Sequence, residues 1–130
     1  MNKVFYIVDD DPIFRKMISI MIHRNDPTAI CKPCENGAIG LKKLELEKEQ
    51  NNNKSIIVLL DINMPVLNGW QFLREIESNA IYDITNLTLY VVSSSTDRVD
   101  ILKAKQHHKV SDYFHKPLID GDIRKILKQN

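Results

Sequence analysis

The sequence predicts an α/β domain: a five-stranded parallel β-sheet with helices on both faces. Three observations point to it. Short, β-rich apolar runs alternate with helical apolar stripes five times along the chain, the pattern of strand–helix crossovers. The run Ile56-Ile57-Val58-Leu59-Leu60 is apolar without alternation, as a central strand covered on both faces must be. A length of 130 residues suits one domain with one sheet rather than two domains.

The first strand is expected over residues 4–8 and the second over 28–31, with the third at 56–60, the fourth at 87–92 and a weak fifth at 113–114. The first helix follows Asp11-Pro12, an N-cap followed by a proline at the first helical position. Its apolar stripe is expected at Ile13, Phe14, Met17, Ile18 and Met21. Ala38, Leu41 and Leu44 mark a second helix, and Trp70, Leu73 and Ile76 a third. Residues 98–109 have the poorest stripe and are read as the fourth helix; Ile119, Ile123, Ile126 and Leu127 mark the fifth. The polar stretch 45–54 reads as a helix end running into a solvated loop.

Composition excludes several classes. Hydrophobic residues make up 43% and charged residues 27%, which rules out a disordered chain, a collagen-like fibre and a disulfide scaffold. The net charge of +1 gives no electrostatic case for binding nucleic acid or an anionic membrane. Apolar runs of about five residues are too short for a secretory segment or a membrane span. A cytoplasmic protein with reduced Cys31 and Cys34 is therefore expected.

In open parallel sheets the functional groups gather beyond the carboxyl ends of the strands. There the sequence places Asp9, Asp10 and Asp11 after the first strand and Asp61 after the third. Ser93, Ser94 and Ser95 follow the fourth strand, and Lys116 the fifth. With Asp11 assigned to the helix cap, Asp9, Asp10 and Asp61 remain as a carboxylate cluster that repels itself unless a cation sits in it. Oxygen ligands of this kind suit Mg²⁺, and a carboxylate beside Mg²⁺ is a competent nucleophile toward phosphorus.

These residues resemble the receiver domain of two-component response regulators. The matching segments are Val8-Asp9-Asp10-Asp11-Pro12, Glu35-Asn36-Gly37 with Leu41, Leu60-Asp61-Ile62-Asn63-Met64-Pro65 with Gly69, Val92-Ser93-Ser94, and Lys116-Pro117. Together, in order and at receiver spacing, they cover residues 3–129. The resemblance implies a flavodoxin-like (βα)5 fold and a single receiver over 1–130 with no output domain. It implies Asp61 as the phosphorylated aspartate, and Mg²⁺ held by Asp9, Asp10, Asp61 and the backbone carbonyl of Asn63. It places Ser93 (with Ser94 beside it) and Tyr113 at the switch positions, and Lys116 on the phosphoryl group. The implied donor is a histidine kinase or histidine phosphotransfer protein. The implied output is a protein target, read by the face of the fourth helix, fifth strand and fifth helix, on a monomer or weak dimer. Asn63 and Ser95 flank the expected path of the water that hydrolyses the acyl phosphate.

Other readings stand beside this one. A phosphatase with an aspartate nucleophile needs a second acid two residues on, where this chain has Asn63. A degenerate receiver that binds partners without phosphate usually lacks an acid or the lysine, and both are present. Cys31-Lys32-Pro33-Cys34, read as lying between strand and helix, has the C-x-x-C form of a redox site, but Glu35 disfavours a thiolate. A zinc set of Cys31, Cys34, His107 and His108 needs ligands far apart in the chain. Residues 97–130 hold eight Lys/Arg against five Asp, which reads equally as a solvated face or an output surface for an acidic partner.

Overall fold

The structure is a computed structural model that describes residues 2–50 and 53–130; the 45–54 stretch therefore lies partly outside the described residues. Five strands form one parallel sheet: β1 (Lys3–Val8), β2 (Ile30–Cys34), β3 (Ser55–Leu60), β4 (Leu87–Ser93) and β5 (Val110–His115). Five helices alternate with them: α1 (Pro12–Asn25), α2 (Gly37–Gln50), α3 (Gly69–Ser78), α4 (Arg98–Gln106) and α5 (Asp120–Gln129). The sheet order is β2-β1-β3-β4-β5. The fold is flavodoxin-like, and the order reverses between β1 and β3, which opens a crevice at their carboxyl ends.

The period-2 alternation of the strands divides the core into two layers. Phe5, Ile7, Ile57, Leu59, Tyr90 and Val92 pack on Phe14, Ile18 and Ile22 of α1 and on Ile123 and Ile126 of α5. Val4, Tyr6, Val8, Ile56, Val58 and Leu60 pack on the other face against Leu41 and Leu44 of α2 and Phe72, Leu73 and Ile76 of α3. All six residues of β3 are buried, as its unbroken apolar run requires.

Six expectations are corrected. β2 starts at Ile30 and runs to Cys34, because Asp26 caps a turn through Thr28 and because β2 is an edge strand, where Pro33 costs no ladder bond on the open side. β5 starts at Val110 rather than 113: Ser111 and Asp112 are polar but belong to the other edge strand. α4 ends at Gln106, where His107 is its C-cap. The buried stripe of α1 is Phe14, Ile18 and Ile22, whereas Ile13 is 72% exposed and Met17 45%. In α2 Ala38 faces outward and Gly37 and Gly40 face in, and Ile119 lies exposed before α5.

The shift of β2 removes the redox reading of the cysteines. Cys31 and Cys34 both lie inside the strand, three positions apart, so they point to opposite faces. Cys31 packs with the α1/α5 layer and Cys34 with the α2/α3 layer. Burial pushes the Cys31 thiol up to about 11 and raises that of Cys34 as well. The four-ligand zinc set fails too: β2 and β5 are opposite edges of the sheet, roughly 19 Å apart at the usual strand spacing.

Candidate functional site

The carboxyl ends of β1, β3 and β5 bring three acids and a lysine together. Asp61 directly follows β3, its amide donating to the Val8 carbonyl at 3.0 Å, so the ends of β1 and β3 are tied side by side. Gly69 secures the same place from the far side of the loop. Its amide donates to the Ile62 carbonyl at 2.9 Å, and a Cβ there would lie 2.6 Å from the Asp61 carbonyl oxygen and 2.7 Å from Ile62 Cα. Only glycine permits that approach. Gly37 does the same for the α2 end, where a Cβ would lie 2.8 Å from the Leu67 carbonyl oxygen.

Carboxylate oxygens of Asp9, Asp10 and Asp61 all lie within 4.8 Å of one another. Asp9 and Asp61 are buried, and Asp10 is exposed. Asp9 is fully engaged: its Oδ1 accepts the Asp11 amide at 2.9 Å and its Oδ2 accepts Lys116 Nζ at 2.6 Å. The Lys116 ammonium is 3.6 Å from Asp61 Oδ2. It rests over the Phe14 ring, 4.3 Å from the centroid, which holds the cation in place without supplying charge. The Lys116–Pro117 bond is cis.

Asp61 Oδ1 accepts the Asn63 amide at 3.3 Å. Burial, with the Asp9 carboxylate beside it, pushes the Asp61 carboxyl up to about 6, against the opposing pull of Lys116 and the Asn63 amide. A carboxylate held so far above its ordinary range has a strained charge, which a divalent cation relieves. The donor set is all oxygen and partly solvent-facing through Asp10, which fits Mg²⁺ with retained waters.

The sequence expectations for the other groups separate here. Asp11 caps α1, accepting the Ile13 amide, and Pro12 is its first residue, as expected. Ser93 is fully buried at the end of β4, whereas Ser94 is exposed. Ser93 Oγ accepts the Ser95 amide at 3.1 Å, and its hydroxyl is also hydrogen-bonded to the Tyr113 side chain. The Tyr113 hydroxyl donates to the Ser95 carbonyl at 3.2 Å. Ser95 Oγ donates to Asp100 at 3.1 Å. Ser95 thus joins the end of β4, α4 and β5. Asn63 is exposed on the β3–α3 loop.

Two further residues, Arg15 and the stripe residue Phe14, support the site. Arg15 Nη1 donates to the Asp9 carbonyl at 2.7 Å and pins the acidic loop to the first turn of α1. Phe14 carries the ring under Lys116. Nothing in their spacing distinguishes them from an ordinary amphipathic helix start.

Residues 5–128 match the family model of the response regulator receiver domain. The chain is 36% identical over 92 residues to a protein-glutamate methylesterase/protein-glutamine glutaminase of Bacillus subtilis (strain 168), covering 71% of this chain and 23% of that enzyme. It is 26% identical over 121 residues to protein PilH of Pseudomonas aeruginosa, covering 93% of this chain and 91% of PilH. Among solved structures, a two component response regulator from Cytophaga hutchinsonii superposes with a TM-score of 0.86 at 25% identity, covering 99% of this chain and 96% of that one. The chain spans less than a quarter of the length of the methylesterase. Among the described residues, no helix is long and apolar enough to cross a membrane.

Proposed function

The chain belongs to the response regulator receiver domain family, and from that premise we propose that its phosphorylation-based switch runs through Asp61. The observation that carries this reading is the convergence of Asp9, Asp10 and Asp61 within 4.8 Å, with Lys116 against them. In this reading an oxygen of Asp61 attacks the phosphorus of a phosphohistidine on a kinase or phosphotransfer protein. The new bond is Asp61 oxygen to phosphorus. The phosphorus–nitrogen bond breaks, and the departing imidazole takes a proton.

Asp9, Asp10, Asp61 and the Asn63 carbonyl would hold Mg²⁺, which when bound supplies positive charge to the transferred oxygens. Lys116 leaves Asp9 for a phosphoryl oxygen. The Ser93 hydroxyl gives up its hydrogen bond with Tyr113 and donates to another, with Ser94 beside it at the loop. Because the Ser95 amide bonds Ser93 and the Ser95 carbonyl bonds Tyr113, a moved Ser93 shifts the contact of Tyr113. The population of states at α4, β5 and α5 changes as a result. Val99 at 70% and Leu102 at 54% exposure give α4 an apolar surface for a protein target.

The chain is read as a switch and not as an enzyme; the methylesterase activity belongs to the relative that carries it. A cytoplasmic location, where kinase and target meet, belongs to the same proposal. Incubation with acetyl phosphate and Mg²⁺ is the test. Intact mass should show one added phosphoryl group, abolished by chelator. Absence of the adduct, with a folded protein and saturating Mg²⁺, would favour a receiver that works without phosphate.

A further inference from the structure

A second cluster lies away from the acids, where the C-terminal ends of α3 and α4 meet. Glu77 comes from α3, and His107 and His108 come from the α4–β5 connection. Their ligand atoms all lie within 4.8 Å of one another. His107 Nε2 is 3.7 Å and His108 Nε2 is 3.5 Å from the same oxygen, Glu77 Oε2. These separations are too long for hydrogen bonds. They are close to the edge of a metal tetrahedron, about 3.3 Å for bonds of about 2.0 Å. The two imidazoles are stacked, with centroids 5.1 Å apart and planes 7° from parallel, so one ring has to turn for both in-plane lone pairs to meet one ion.

We propose that Glu77, His107 and His108 form a binding site for a divalent transition-metal ion of the zinc class, with water completing the shell. Two imidazole nitrogens and one carboxylate oxygen select Zn²⁺, Ni²⁺ or Cu²⁺ over Mg²⁺, so the site is chemically separate from the all-oxygen cluster at Asp61. It uses neither cysteine. His107 is the most enclosed ligand, with its side chain 17% exposed.

One hydrogen bond must give way. The Lys109 amide donates to His107 Nδ1 at 3.1 Å, which places the proton of the neutral ring on Nε2. Ligation through Nε2 sends that proton to solvent, moves a proton onto Nδ1 and breaks the Lys109 contact. This exchange weakens the site and also supplies its reporter, the Lys109 amide. A bound ion would clamp the end of α3 to the start of β5, next to the face assigned to output.

The test is a Zn²⁺ titration of the isotopically labelled protein in excess Mg²⁺, followed by NMR and calorimetry. One Zn²⁺ per chain should bind, shifting the Lys109 amide and the His107 and His108 ring signals while leaving those around Asp61 in place. His108→Ala and Glu77→Gln should each weaken binding by on the order of tenfold or more, and Asp10→Asn should not. No shift at Lys109 up to about millimolar Zn²⁺, an unchanged affinity in His108→Ala, or binding lost in Asp10→Asn would each overturn the proposal.

Discussion

Lys116 is paired with Asp9 rather than with the expected phosphoryl acceptor: its ammonium is 2.6 Å from Asp9 Oδ2 and 3.6 Å from Asp61 Oδ2. The lysine therefore bridges two buried carboxylates, and it is the cation that restrains the rise of the Asp61 pKa. Lys116→Met leaves those acids facing each other without it. The Asp61 carboxyl should then titrate above its value of about 6, followed by carboxyl-carbon NMR, and acetyl phosphate labelling at neutral pH should slow. An Asp61 titration unchanged by the substitution would show that the ammonium does not act on this group.

The raised Asp61 pKa makes a statement about stability. The carboxyl titrates at about 6 folded against an ordinary 3.8. Between these values the folded state binds more protons than the unfolded one, so this group's contribution to stability falls as pH rises through the window. Above it, the ionised Asp61 costs up to about 3 kcal/mol. Asp61→Asn should therefore be more stable than the wild type in urea at pH 7.5 without Mg²⁺, and the gap should close near about pH 4. A gap that persists at the lower pH would mean its origin is not charge.

Gly69 and Asp61 are in backbone contact, so Gly69→Ala pushes on the proposed acceptor itself. The added Cβ meets main-chain atoms at 2.6 and 2.7 Å, which cannot rotate away. A loss of about 1–3 kcal/mol in a urea melt is expected, with weaker Mg²⁺ binding reported by Trp70 fluorescence. Equal Mg²⁺ affinity in the two proteins would separate loop packing from the site.

Ser95 makes its contacts to Ser93 and Tyr113 through backbone atoms and only the Asp100 bond and an Asp97 amide contact through Oγ. Ser95→Ala should thus leave the loop in place but change the surroundings of the phosphorylated Asp61. Substitution of Ser95 or of exposed Asn63 should alter the acyl-phosphate lifetime by several-fold while moving stability by about 1 kcal/mol or less. Identical decay rates in wild type and both variants would refute this.

Away from the site, Glu47 of α2 is 4% exposed, accepts the Tyr6 hydroxyl, and lies 3.3 Å from Lys32 Nζ and 3.7 Å from Lys54 Nζ. Those partners hold its carboxyl below the usual range, although burial alone would raise it. Tyr6→Phe removes one donor from a buried carboxylate and should cost about 1–3 kcal/mol in a urea melt. A cost near zero would mean that the lysines satisfy Glu47 alone.

The central strands and the acid cluster were legible because each rests on a strong local signal. The apolar run of β3 and the Asp-Pro cap of α1 have few alternative readings. The edges of the sheet were harder to read. Pro33 looks like a turn residue, and only the edge position of β2 makes it compatible with a strand. Ser111 and Asp112 look like loop for a similar reason. The expected α1 stripe contains the buried Phe14 and Ile18 but is too wide, because Ile13 and Met17 are apolar yet exposed. Glu47 sits in a segment that reads as solvated, and what buries it is Tyr6, far away in sequence. Arg15 and Phe14 support the site through a carbonyl and a ring face, contacts that leave no mark in residue spacing.

The most direct test is to locate the phosphoryl group. The protein is labelled with acetyl phosphate and Mg²⁺, reduced with borohydride, digested and sequenced by mass spectrometry. Borohydride converts an aspartyl phosphate to homoserine, so the account predicts homoserine at position 61 and nowhere else, and none in Asp61→Asn. Homoserine at Asp9 or Asp10, or undiminished labelling of Asp61→Asn, would contradict it.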